Sequence, residues 1–182
     1  MMKHLPNMLM VGSTGRNLGK TTFICRVIQR EAATQSVIAL KVTAFEDHAG
    51  VIVEEKQHCQ TYKTLQGRFM VTRECDPCLD KDTGKLLQAG ASNVYWLRTL
   101  RSAMHDGMQA VLDAMRQDHV DIETACIVCE SNMARLAVKP GLFMVVRRGN
   151  EVKPSCAAVI HEVDRIVDFY GEGWSLSPDA PV

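Results

Sequence analysis

The chain has 182 residues, 46% of them apolar and 23% charged, which suits one globular domain, with or without an insertion, and argues against long disorder. Lys plus Arg equals Asp plus Glu at 21 each, so no overall charge draws the chain to nucleic acid or to an anionic membrane. No apolar run approaches the ~18 residues of a membrane span. Residues 1–10 lack the long apolar core of a secretory signal, and an odd count of seven cysteines points to a reducing, cytoplasmic setting with free or metal-bound thiols.

Residues 8–11 (MLMV) form a short apolar run that ends at Gly12 and predict a buried strand. Residues 12–19 are rich in Gly, Ser, Thr and Asn and predict a loop. From 20 to 34 the apolar residues Phe23, Ile24, Val27, Ile28 and Ala32 make one helical stripe. Residues 36–42 (SVIALKV) predict a second buried strand, which completes a βαβ unit and implies a largely parallel sheet. The pattern then breaks. Residues 43–80 hold VIV at 51–53, RFMVT at 68–72 and two Cys/His-bearing stretches, and predict an inserted excursion with one or two short strands.

Regular alternation resumes after it. A helix is expected over 82–90, a strand over 93–97, and a helix over 102–117 with Met104, Met108, Val111, Leu112 and Met115 on one face. Further strands are expected at 125–129 (ACIVC), at 142–146 after a turn at Lys139-Pro140-Gly141, and at 165–169. A short helix is expected over 155–161, and 171–182 is expected to be loose. The whole predicts one α/β domain over 1–182 in three layers with a mostly parallel sheet, carrying the excursion 43–80; the run GSTGRNLGKTT over 12–22, between the first strand and the first helix, makes the expected fold a three-layer P-loop NTPase.

The strongest chemical signal is the stretch from Gly12 to Thr22, GSTGRNLGKTT, placed between a strand and a helix as a P-loop requires. Glycines let backbone N–H groups curl around phosphate oxygens with no Cβ in the way. The free N–H groups and the positive dipole end of the following helix face the same oxygens. Lys20 adds a charge for the β- and γ-phosphates, and the Thr21 hydroxyl is a ligand for Mg²⁺. The usual spacing puts its first glycine at position 14, which is Thr, so Gly12 and Gly15 seat this loop differently.

Such a site needs an acid at the end of another strand. Glu130 directly follows ACIVC, and Glu46, Asp47 and His48 follow the second strand. Lys20, Asp47 and Glu130 are therefore the candidate catalytic residues, with Thr21, Asp47 and Glu130 as candidate Mg²⁺ ligands. Cys75 and Cys78 flank a Pro turn and can point at one ion, so with Cys59 and either His58 or His48 they form a candidate zinc set. A redox or second metal-handling role and unligated thiols are the alternatives. Cys126 and Cys129, three apart in a strand, face opposite sides and cannot share a metal.

The glycine loop, Lys41 ahead of Asp47-His48, the triplets Lys81-Asp82-Thr83 and Ala89-Gly90-Ala91, and the strand closing in Glu130 occur in an order that resembles the molybdopterin-guanine dinucleotide biosynthesis protein B family across residues 8–170. That resemblance implies a small P-loop GTP-binding protein of the class that holds the signal-recognition and nickel-insertion GTPases. It implies a homodimer that binds GTP with Mg²⁺, hydrolyses it slowly, and assists the guanylyltransferase that attaches GMP to molybdopterin. The residues it implies are Gly12, Gly15, Gly19, Lys20, Thr21 and Thr22 on phosphates and Mg²⁺, with Asp47 and Glu130 near the metal. The chain departs from the family in its longer loop, in Ser131-Asn132 where Glu-Gly is expected, and in a single His48 where the family is His-rich. No Asn-Lys-x-Asp motif occurs, so GTP and ATP both stay open. Two other readings share the platform: a small-molecule kinase or ATP-dependent ligase of the dethiobiotin synthetase type, and a module in which a nucleotide gates release of a metal held by Cys59, Cys75 and Cys78.

Overall fold

The computed structural model describes residues 2–47, 65, 67–78 and 80–179. In chain order these residues form β1 (Lys3–Ser13), α1 (Lys20–Ala32), β2 (Val37–Phe45), β3 (Phe69–Glu74), α2 (Asp82–Gln88), β4 (Asn93–Leu100), α3 (Met104–Gln117), β5 (Cys126–Glu130), β6 (Val138–Arg147), α4 (Pro154–Ala157) and β7 (Arg165–Asp168). The strands make one sheet in the order β3-β4-β2-β5-β1-β6-β7. All neighbours are parallel except β3, which runs antiparallel to β4 at one edge. The far end of the 43–80 stretch is thus part of the main sheet.

A parallel sheet must be covered on both faces, and its central strands read as nearly unbroken apolar runs. On one face the α3 side chains Met108, Val111, Leu112 and Met115 pack with Leu40, Leu97 and Ile127. On the other, Phe23, Ile24, Val27 and Ile28 of α1 join Leu86 of α2 against Val11, Ala39 and Val128. The arrangement is three layers, helices on either side of the sheet. Each of the four buried α1 side chains contributes about 1.5–3 kcal/mol by leaving water, which is what holds α1, and the loop before it, against β1. Cys129 lies fully buried on the α3 face and Cys126 packs on the α1 face, as a three-residue strand spacing demands. Burial, aided by the neighbouring Glu130 charge, pushes the Cys129 thiol up to about 12.

Three local expectations differ from the structure. Lys139-Pro140-Gly141 is not a turn; it lies inside β6. There β1 bulges: Leu5 pairs with Pro140 and Leu9 with Leu142, and the register shifts between them beside Pro6. A Cβ on Gly141 would sit 1.9 Å from the Pro6 carbonyl oxygen, so the bulge needs glycine here. The short helix near 155–161 splits into α4 and a separate 3₁₀ turn, Ile160–Glu162. The tail is not loose over its described part. Trp174 bridges to Phe169, Ser175 N–H donates to the Asp168 carbonyl at 2.8 Å, and the Trp174 ring lies edge-on 5.4 Å from Phe23. An indole and two phenyl rings bury more apolar area together than a free tail could. Among the described residues no helix is long and apolar enough to cross a membrane.

Candidate functional site

The carboxyl ends of β1, β2 and β5 lie side by side, because Glu130 pairs with Val11 on one flank and Lys41 on the other. Open α/β sheets bind ligands at this edge. Here a cavity of about 650 Å³ opens, bounded by the glycine loop, Lys41, Asp82, Glu130 and Lys153.

The loop is anchored from both ends. At its start Asn132 treats Ser13 as a neighbouring strand would. The Ser13 N–H donates to Asn132 Oδ1 at 2.8 Å, and Asn132 Nδ2 donates to the Ser13 carbonyl at 3.0 Å. Next, Thr14 N–H donates to the Val146 carbonyl at 2.9 Å, and the Thr14 carbonyl accepts from Lys153 N–H at 2.8 Å. Gly12 makes room for this clamp, since a Cβ there would lie 2.2 Å from Asn132 Oδ1. At its end the loop passes through left-handed backbone at Asn17 (φ 55°) and Gly19 (φ 68°) before entering α1. Phe169 and Trp174 close over Gly19, within 3.0 and 3.1 Å of where a Cβ would stand. A glycine serves there on both counts, conformation and space.

α1 begins with no side-chain cap and no acid in its first turn, so its leading N–H groups have no side-chain acceptor. Such a helix start is a ready anion site. Lys20, Thr21 and Glu130 meet beside it. Lys20 Nζ stands 3.0 Å from Glu130 Oε1, and the Thr21 hydroxyl donates to the same oxygen at 3.2 Å. Glu130 is only 4% exposed, and its second oxygen, Oε2, has no hydrogen-bond partner; neither has the buried Thr14 hydroxyl. A buried carboxylate oxygen left unpaired is costly. Beside a threonine hydroxyl, it matches the all-oxygen preference of Mg²⁺ and its waters. Farther along the wall, Lys41 pairs with Asp82, and Lys85 approaches the same carboxylate at 3.6 Å. Burial opposes ionisation of Asp82, but the charge and hydrogen bond of Lys41, with Lys85 behind them, outweigh it and hold the carboxyl below the usual range.

Gly15, Gly19, Lys20, Thr21, Thr22 and Glu130 therefore come together around one cavity, with Gly12 just behind it. Asp47 does not join them. Its Oδ1 accepts from Ser102 N–H at 3.1 Å, at the start of the 3₁₀ turn before α3, and it does not line the cavity. Cys75 is exposed and Cys78 half-buried, and among the described residues no three His, Cys, Asp or Glu side chains gather for a metal. Cys59, His48 and His58 lie outside the described residues, as does the 51–53 run. Sequence reasoning missed Asn132 and Lys153. Asn132 follows Glu130 by two positions, which is a usable signal; Lys153 stands at no fixed spacing from the loop.

Gly12→Ala is expected to lower unfolding stability by about 1–3 kcal/mol, the usual cost of overpacking, because Asn132 must leave Ser13. Denaturant titration reads it; a shift within about 0.5 kcal/mol, inside the ordinary range for surface changes, would mean the clamp yields without cost.

Set against protein-family models, curated proteins and solved structures, the chain gives no match.

Proposed function

We propose that the chain is a P-loop protein that binds a nucleoside triphosphate with Mg²⁺ in this cavity and hydrolyses it slowly, with GTP as its nucleotide. The observation that carries the reading is the meeting of Lys20, Thr21 and the half-paired, buried Glu130 at an uncapped helix start. The α1 N–H groups hold phosphate oxygens, and Lys20 exchanges Glu130 for the β- and γ-phosphates. Glu130, relieved of Lys20, would be free to serve the metal and to orient a water toward the terminal phosphorus. Thr21 and Glu130 would hold Mg²⁺, which would supply charge neutralisation to the phosphates. The placement of this activity in molybdopterin guanine dinucleotide assembly, as a homodimer beside a guanylyltransferase, rests on the order of the sequence motifs.

Calorimetric titration with GTP and ATP, with Mg²⁺ and with a chelator, tests the reading. One site per chain, dependent on Mg²⁺ and tighter for GTP, is expected; no binding of either nucleotide would reject it. The assembly role falls if the chain leaves the yield of a guanylyltransferase supplied with molybdopterin and GTP unchanged.

One observation favours a second reading, group transfer to a small acceptor. Behind the Lys41–Asp82 pair a chamber of about 120 Å³ adjoins the main cavity, lined also by Lys81, Thr83 and Trp96. That chamber suits a kinase or ligase of the dethiobiotin synthetase type, and turnover that appears only with an added acceptor would favour it.

A further inference from the structure

We propose that Lys153 is a second phosphate-binding cation, one that contacts the terminal phosphate and so distinguishes a triphosphate from a diphosphate; the inference rests on the nucleotide reading above. Lys153 reaches the glycine loop from the segment between α4 and β6, the strand next to β1. Its backbone N–H is tied to the Thr14 carbonyl at 2.8 Å, so the residue is attached to the loop itself. Its Nζ stands 3.2 Å from the Ser13 hydroxyl and 3.5 Å from the Gly15 carbonyl. Both partners are neutral oxygens, and among the described residues Lys153 makes no ion pair.

The surroundings are unfavourable for an ammonium without an anion. Burial presses the Lys153 amine below the ordinary lysine range, and the nearby Lys20 and Arg16 charges press it the same way, against weaker relief from Cys156 and Glu130. The cavity lining carries five cations, Arg16, Lys20, Lys41, Lys85 and Lys153, against two carboxylates, Asp82 and Glu130. Like charges held together in a half-buried space cost free energy, and a polyanion entering it removes that cost.

Position along the loop selects the phosphate. The uncapped α1 start, at Gly19–Thr22, is one end of the cup, and backbone N–H groups there suit the inner phosphates. Ser13 and Gly15, where Lys153 points, are the other end. Glu130 stands at the α1 end, bonded to Lys20 and Thr21. A triphosphate laid along this path brings its last phosphate to Lys153; a diphosphate stops short.

The test is calorimetric titration of GTP and GDP, each with Mg²⁺, into the parent chain, Lys153→Met and Lys20→Ala, with thermal melting to establish that each variant is folded. The expected result for Lys153→Met is a loss of about 10-fold or more in GTP affinity, the scale of one charge-assisted hydrogen bond, with GDP affinity changed less than about 3-fold. Lys20→Ala is expected to weaken both nucleotides. Equal losses for GTP and GDP, or no loss, would overturn the role of Lys153 while the nucleotide reading stands on the Lys20 result. A parent chain that binds neither nucleotide overturns both. Should Lys153→Met not fold, Lys153→Gln keeps a polar end to bond Ser13 and carries the same comparison.

Discussion

Lys20→Ala is expected to weaken binding of the Mg²⁺–nucleotide complex by about 10- to 150-fold. The reason is the bond that Lys20 trades. In the structure its Nζ lies 3.0 Å from Glu130 Oε1, a pair in which the carboxylate is almost wholly buried. In the proposed complex phosphate oxygens take the place of that carboxylate, so alanine would remove a charge-assisted contact worth roughly 1.5–3 kcal/mol, and each 1.4 kcal/mol is about tenfold in affinity. The free protein is affected as well. Without Lys20, Glu130 keeps only the Thr21 hydroxyl, at 3.2 Å, and a lowered melting temperature is expected from a buried charge that has lost its counter-ion. Titration with GTP or ATP reads the first effect and thermal melting the second. Unchanged affinity would reject Lys20 as a phosphate ligand, whatever happens to the melting temperature.

Glu130→Gln is expected to separate hydrolysis from binding. Glutamine keeps the shape of the side chain and can still accept from Thr21, but it carries no charge to hold a metal shell or to orient a water. Loss of a positioned base or water-orienting group costs about 100-fold or more in rate. Binding is expected to change by less than about 10-fold, because the α1 N–H groups and Lys20 remain. Single-turnover hydrolysis and calorimetry on the same variant give the two numbers. Hydrolysis at the parent rate would make Glu130 an anchor for Lys20 and Thr21, with no part in the chemistry.

Both predictions concern residues that were legible in the sequence. The run ACIVC ends where its apolar character ends, so Glu130 had to stand at the carboxyl edge of a buried strand. GKTT at a strand-to-helix junction had to put Lys20 and Thr21 in the first turn of α1. Asp47 shows the limit of such reasoning. It follows β2 by two residues, and the same argument placed it near the metal, yet its carboxylate is engaged by Ser102 N–H. Nothing local distinguishes an acid that faces a ligand from one that receives a turn's N–H group, since both sit just beyond a strand.

By itself the sequence determined the alternation of elements, the parallel sheet, the two apolar stripes of α1 and α3, and the opposite facing of Cys126 and Cys129. These follow from the side-chain period of each element and from the burial that period permits. Only the tertiary structure decided the rest. It drew Lys139-Pro140-Gly141 into β6 against the Pro6 bulge, folded Trp174 over Gly19, and brought Asn132, 119 residues away, and Lys153, 140 residues away, onto Ser13. Periodicity records which face of an element is buried; strand order in space decides which loops then meet, and residues that far apart along the chain share no local pattern through which to announce the meeting.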